Sequence, residues 1–113
     1  MDVVITARHC TVPDPVRLRT AERFERLQRY HPRMVSADAI FHTENGAHHV
    51  ETRVLVARGG QPLVARGSGD GFRAALDQAL DRLGRQLRRQ RERRTMHKTR
   101  KPAELSATIA ELA

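Results

Sequence analysis

Residues 35–58, VSADAIFHTENGAHHVETRVLVAR, decide the fold. Asn45-Gly46 sits between two runs rich in β-branched and apolar residues. A two-residue type I′ turn needs positive φ at both central positions, and Asn-Gly tolerates this best. The turn predicts strands over Val35 to Glu44 and Ala47 to Arg58, and it sets their register. One face then carries Val35, Ala37, Ala39 and Phe41 opposite Val56, Val54, Thr52 and Val50. The other carries Asp38, Ile40 and His42 opposite Arg53, Glu51 and His49. The first set is apolar apart from Thr52, and the second is mostly polar. A slip of one residue would turn every side chain over and destroy this sorting. The sheet should therefore have one covered face and one wetter face.

Upstream, the β-branched run Val3-Val4-Ile5-Thr6 predicts a strand over Asp2 to Arg8. Thr11-Val12-Pro13-Asp14-Pro15 then breaks the chain and starts a helix, with Asp14 as N-cap and Pro15 at the first helical position. That helix runs to about Arg29 on an imperfect apolar stripe of Val16, Leu18, Ala21, Phe24 and Leu27, and His31-Pro32 ends it. Downstream, Arg58-Gly59-Gly60-Gln61-Pro62 is a turn, and Leu63 to Ser68 is a short strand whose register the sequence leaves open. Asp70 is the expected N-cap of the last helix. Phe72, Ala75, Leu76, Ala79, Leu80, Leu83 and Leu87 follow the i, i+3, i+4, i+7 pattern of one buried stripe. Gly84 lies in the middle of this helix, off the stripe, at a cost of roughly 1 kcal/mol against Ala. The stripe stops at Leu87 and the helix is expected to end near Arg94, its last turns projecting beyond the core.

The order is β-α-β-β-β-α. The first helix serves as a right-handed crossover between parallel strands, and the next three strands form an antiparallel meander. The expected class is α+β: a two-layer sandwich of a four-stranded mixed sheet with both helices on one face. Residues 1–94 make one domain. Residues 95–113 read as a basic linker and tail, with a short helix around Leu105, Ile109 and Leu112 that is marginal alone.

The 113-residue chain carries Lys+Arg 21 against Asp+Glu 13, a formal net charge of +8. A domain this basic attracts polyanions, either nucleic acid or an anionic membrane surface. No stretch approaches the apolar length of a membrane span. Lys occurs only at Lys98 and Lys101, so nearly all the positive charge is arginine, whose planar fork suits phosphate and stacks on bases. Cys10 is the sole cysteine, so no internal disulfide forms, and no secretory leader is evident. The expectation is a soluble cytoplasmic protein.

In the last helix Arg82, Arg85, Arg88, Arg89, Arg91, Arg93 and Arg94 meet a single acid, Glu92. A solvated helix face normally mixes signs, so this imbalance favours contact with RNA phosphates, a term that grows with each neutralised charge. In the first helix Glu22 and Glu25 can pair with Arg26 and Arg29 at i+4, which makes solvated ion pairs as good a reading there. His42 and His49 face each other across the hairpin, with Glu44 or Glu51 nearby. Two histidines without a firm third ligand favour a polar cross-strand pair over a metal site. Cys10 has no evident base, and Gly67-x-Gly69-x-Gly71 lacks the Lys-Ser/Thr of a phosphate loop. No catalytic constellation, metal or cofactor is expected, and no small-molecule substrate.

Several short stretches resemble one family. They are Ile5-Thr6-Ala7-Arg8, then Asp14-Pro15 leading to Glu25-Arg26-Leu27-Gln28-Arg29-Tyr30. The most specific is Asp70-Gly71-Phe72-Arg73-Ala74-Ala75-Leu76-Asp77, running into Arg82-Leu83-Gly84-Arg85-Gln86-Leu87-Arg88-Arg89. Over about residues 2–94 the chain resembles the ribosome hibernation promoting factors, also called ribosome-associated inhibitor A or sigma-54 modulation proteins. It departs from their pattern at Arg17, where they carry an apolar residue, and at Gly84. The resemblance implies binding to the 30S subunit, against 16S rRNA in the channel for mRNA and tRNA, so that idle ribosomes are inhibited or preserved under stress. It implies basic contacts from both helices, adding Arg23 and Arg26 to Arg82, Arg85, Arg88, Arg89, Arg91 and Arg93. It also implies a short form without the C-terminal domain by which long members pair ribosomes, leaving the tail only for weak self-association. The alternatives are a general binder of structured RNA and a protein-interaction module using the tail.

Overall fold

The computed structural model describes the backbone of residues 1–107 and side chains through Arg93. The elements are β1 (Asp2–Arg8), α1 (Asp14–Tyr30), β2 (Met34–Glu44), β3 (Ala47–Val56), β4 (Leu63–Gly69) and α2 (Phe72–Ala107). The strands lie in the order β1-β2-β3-β4, with β1 parallel to β2 and the other pairs antiparallel. Both helices pack on one face of this mixed sheet, as the α+β two-layer reading predicts.

The hairpin turns at Asn45 and Gly46, with φ of 52° and 78°. Its register is the predicted one from Ser36↔Leu55 to Glu44↔Ala47, including Asp38↔Arg53 and His42↔His49. Beyond Ser36 the register shifts. A bulge between Met34 and Ser36 adds one residue to β2, so Met34 rather than Val35 pairs with Val56. An added residue shifts the two-residue alternation. Met34 is therefore buried at 3% exposure, whereas Val35 faces solvent at 46%.

Other expectations are corrected at the helix ends. Pro13 is the N-cap of α1, without a side-chain hydrogen bond, and Asp14 is the first helical residue. The Pro13 carbonyl accepts from the Val16 and Arg17 amides, so the backbone closes the first turn by itself. Leu18 is exposed at 64%, and Thr20 is buried in the stripe instead. The face toward the sheet runs Val16, Thr20, Phe24 and Leu27, and the Thr20 hydroxyl is satisfied by donating to the Val16 carbonyl. At α2 it is Gly71 whose carbonyl accepts from Ala75 to open the helix, not Asp70. The helix does not stop near Arg94 but continues to Ala107. No Gly or Pro occurs between Arg85 and Lys101, so nothing in the local sequence ends it there. The expected contact surface of Leu105, Ile109 and Leu112 lies outside the described side chains.

All seven residues of the predicted α2 stripe are buried, from Phe72 to Leu87. They cover Ala37, Ala39, Phe41, Val50 and Val54 of the sheet, and Phe72 meets Phe41 edge to face at 5.3 Å. The register of β4, which the sequence left open, runs from His48↔Gly69 to Val54↔Leu63. This places Ala65 and Gly67 beneath α2. A Cβ added at Gly67 would collide with the Ala75 carbonyl and stand 2.5 Å from the Ala79 amide nitrogen. The helix backbone thus rests directly on the strand.

The same helix closes the exposed edge of β4. The Gln78 side-chain carbonyl accepts from the Ser68 amide at 2.8 Å, Arg82 Nη1 donates to the Arg66 carbonyl at 2.7 Å, and Gln86 Nε2 donates to the Val64 carbonyl at 2.8 Å. These three side chains repeat every four residues, one turn apart. They meet backbone groups on alternate residues of β4, the groups that point away from β3. An open edge would leave those groups as a template for another strand.

Two glycine substitutions should act in opposite directions in urea denaturation. Gly67→Ala forces the helix off the sheet and should lower stability by about 1–3 kcal/mol. At Gly84 an added Cβ would meet only Leu27 Cδ2, at 4.0 Å. Gly84→Ala should therefore raise stability by up to about 1 kcal/mol through helix propensity alone.

Candidate nucleic-acid interface

The arginines divide among three sides of α2. The side toward α1 carries Asp77, Gly84 and Arg91, spaced by seven residues. Asp77 accepts from Arg19 through both Nε and Nη2, at 3.2 and 3.1 Å, and from Arg23 Nη1 at 3.0 Å. Gly84 faces Leu27 of α1. Arg91 Nη1 donates to the carbonyl of Tyr30, the last residue of α1, at 3.1 Å. A cation at a helix C-terminus also meets the negative end of the helix dipole.

The opposite side overhangs β4. It carries Arg82, held by the Arg66 carbonyl, and then Arg89 and Arg93. Arg89 and Arg93 line a notch of about 470 Å³ with Leu63, Gln86 and Glu92. The third side points away from the sheet and carries Arg85 and Arg88, both exposed. On α1, Arg26 is exposed, whereas Arg23 is half-buried and ion-paired. The structure therefore brings Arg82, Arg89 and Arg93 together over β4, and Arg85 with Arg88 on the outer side. It does not gather all eight predicted residues into one patch.

The i+4 ion pairs that the sequence of α1 allows do not form. Among the described residues neither Glu22 nor Glu25 makes an ion pair, so Arg26 and Arg29 are left to solvent. The acid that does organise α1 is Asp77, on the other helix. It lies 54 residues from Arg23 along the chain, so only the packing of the two helices reveals it.

On the open face of the sheet, Glu51 accepts from Arg53 Nε and Arg66 Nε, each at 2.8 Å. Burial alone would raise its carboxyl. The hydrogen bonds from Arg53 and Arg66, together with their charges, outweigh that and hold it below its ordinary 4.5. Cys10 packs beside the core, and its thiol donates to the Phe41 carbonyl at 3.4 Å.

Fold and surface together define a small, strongly basic α+β domain whose long helix presents arginine on every side that the core leaves free. The sigma 54 modulation protein / S30EA ribosomal protein family matches residues 3–95, and the chain belongs to that family. Its fold is similar to that of a ribosomal subunit interface protein from Coxiella burnetii, with TM-score 0.74 and 20% identity over 81% of this chain and 99% of that one. It is also similar to the N-terminal domain of Protein Y from Thermus thermophilus, with TM-score 0.68 and 23% identity over 79% of this chain and 98% of that one. No curated protein sequence matches it. Among the described residues no helix is long and apolar enough to cross a membrane.

Asp77→Asn removes both inter-helix ion pairs. Because all three side chains are partly exposed, the loss should be about 0.5–1 kcal/mol in urea denaturation, and smaller at high salt. Glu51 has a folded value below its unfolded one, so it stabilises the fold above roughly pH 5 and that contribution disappears as pH falls through the folded value. Glu51→Gln should accordingly show a shallower loss of melting temperature on acidification below that point.

Proposed function

We propose that this chain binds the small ribosomal subunit against 16S rRNA, in the channel for mRNA and tRNA, and so inhibits or preserves idle ribosomes in the cytoplasm. The observation that supports this best is the arginine array of α2. Among the described residues Leu87 is the last of the buried stripe, and the exposed Arg88, Arg89 and Arg93 follow it, available to phosphates. Membership of the S30EA ribosomal protein family favours ribosomal RNA as the polyanion.

Contacts of this kind read shape and phosphate rather than base sequence, since the guanidinium groups line a helix too broad for the deep groove of A-form RNA. Arg85, Arg88, Arg89 and Arg93 are the principal candidates, with Arg26 from α1. Arg23, Arg82 and Arg91 already have protein partners and would contribute charge at fixed positions. The reading assigns no catalytic step.

The test is co-sedimentation with purified 30S and 70S particles. Binding should be saturable at low salt and lost at high salt. Reversing Arg85 and Arg89 to Glu should weaken it and reduce the salt dependence by at least about two phosphate contacts. Added mRNA or tRNA should displace the protein from 30S particles. A protein that stays in the supernatant at moderate salt disproves the proposal. One that binds but is not displaced is a general binder of structured RNA.

A further inference from the structure

The side of the sheet turned away from both helices holds a cluster that the arginine surface does not use. His42 and His49 are a cross-strand pair beside the type I′ turn, with rings 4.9 Å apart and 13° from parallel. Glu44 lies two residues past His42 on β2 and so projects from the same face. Its Oε2 is 3.9 Å from His42 Nε2. One donor atom from each of the three residues lies within 4.8 Å of the other two. The other nearby acid, Glu51, is already committed to Arg53 and Arg66. His48 is not part of the group, since it turns to the helix side and packs edge-on against Phe72 at 4.6 Å.

We propose that His42, Glu44 and His49 form a binding site for a borderline-soft dication of the Zn²⁺, Cu²⁺ or Ni²⁺ type. The sequence alone offered two histidines and no firm third ligand. The structure leaves Glu44 as the third, since Arg53 and Arg66 engage Glu51. Two imidazoles and one carboxylate suit these ions, whereas Mg²⁺ and Ca²⁺ prefer oxygen ligands throughout. The donor atoms stand wider apart than bound ligands do, because a zinc ion takes nitrogen at about 2.0–2.1 Å. The backbone positions are locked by the ladder, so closing that gap takes side-chain rotation alone. Three protein ligands leave at least one position for water or an outside donor. The neighbours in the same row are Arg8 on β1 and Ser68 on β4. The Arg8 charge opposes a cation, and the Glu44 carboxylate offsets it. A bound ion would tie β2 to β3 next to their turn, and so stabilise the folded chain.

The test uses the full chain without an affinity tag, titrated with ZnCl₂. Calorimetry should show one saturable site, and the melting temperature should rise with zinc. In NMR spectra the imidazole signals of His42 and His49 should shift together, while that of His48 stays in place. His42→Ala and His49→Ala should each abolish the saturable heat, Glu44→Gln should weaken binding, and His9→Asn should leave it unchanged. All three site residues are at least partly exposed, so circular dichroism should show each variant folded. The proposal is overturned if the wild-type chain gives no saturable isotherm. It is also overturned if binding survives in the His42→Ala/His49→Ala double variant, or if the shifted signals belong to other histidines.

Discussion

The seating of α2 on β4 is the contact on which the rest of the structure depends. Gly67 lets the helix backbone touch the strand, and no side chain fits between them. At that distance the stripe from Phe72 to Leu87 fills the space above the sheet, and Gln78, Arg82 and Gln86 reach the free backbone groups of β4. One helix therefore supplies the core and closes a sheet edge. Dispersion and hydrogen bonding both fall steeply with separation, so both would weaken together if the helix were lifted.

That seating also determines what the arginines can do. A helix pressed onto a sheet has one buried side, two flanks and an outer side. In α2 one flank is engaged with α1 through Asp77 and Arg91, and the other with β4 through Arg82. Arg85 and Arg88 on the outer side, and Arg89 and Arg93 above the notch, remain exposed. A surface that is uniformly basic in sequence thus becomes graded in space, with some guanidinium groups fixed by the protein and others open to phosphate. Asp77 holds Arg19 and Arg23 where α1 meets α2, so the positive surface of α1 is ordered by an acid from the other helix.

Much of this was legible in the chain. The hairpin register followed from Asn45-Gly46 and the two-residue alternation, because each is a local rule with a single consistent solution. The buried side of α2 followed from its periodicity for the same reason. Leu18 lies about 200° around the helix from Val16, so the stripe of Val16, Thr20, Phe24 and Leu27 leaves it facing solvent. Elsewhere a non-local demand outweighed local preference. Val35 turns outward because the bulge inserts a residue that no turn signal marks. The i+4 pairs open to Glu22 and Glu25 with Arg26 and Arg29 do not form. Exposed pairs of that kind gain little, and the acid that matters, Asp77, comes from a distant segment.

The sequence by itself determined the element order, the hairpin register, the buried stripe of α2 and the excess of arginine, since all of these are read within a few residues of one another. Tertiary structure alone decided the register of β4, the closure of its edge and the division of the arginines into engaged and open sets. Each of these depends on the distance and angle at which two separate segments pack. That geometry is a property of the assembled layers, where a missing Cβ at Gly67 counts for as much as any side chain present.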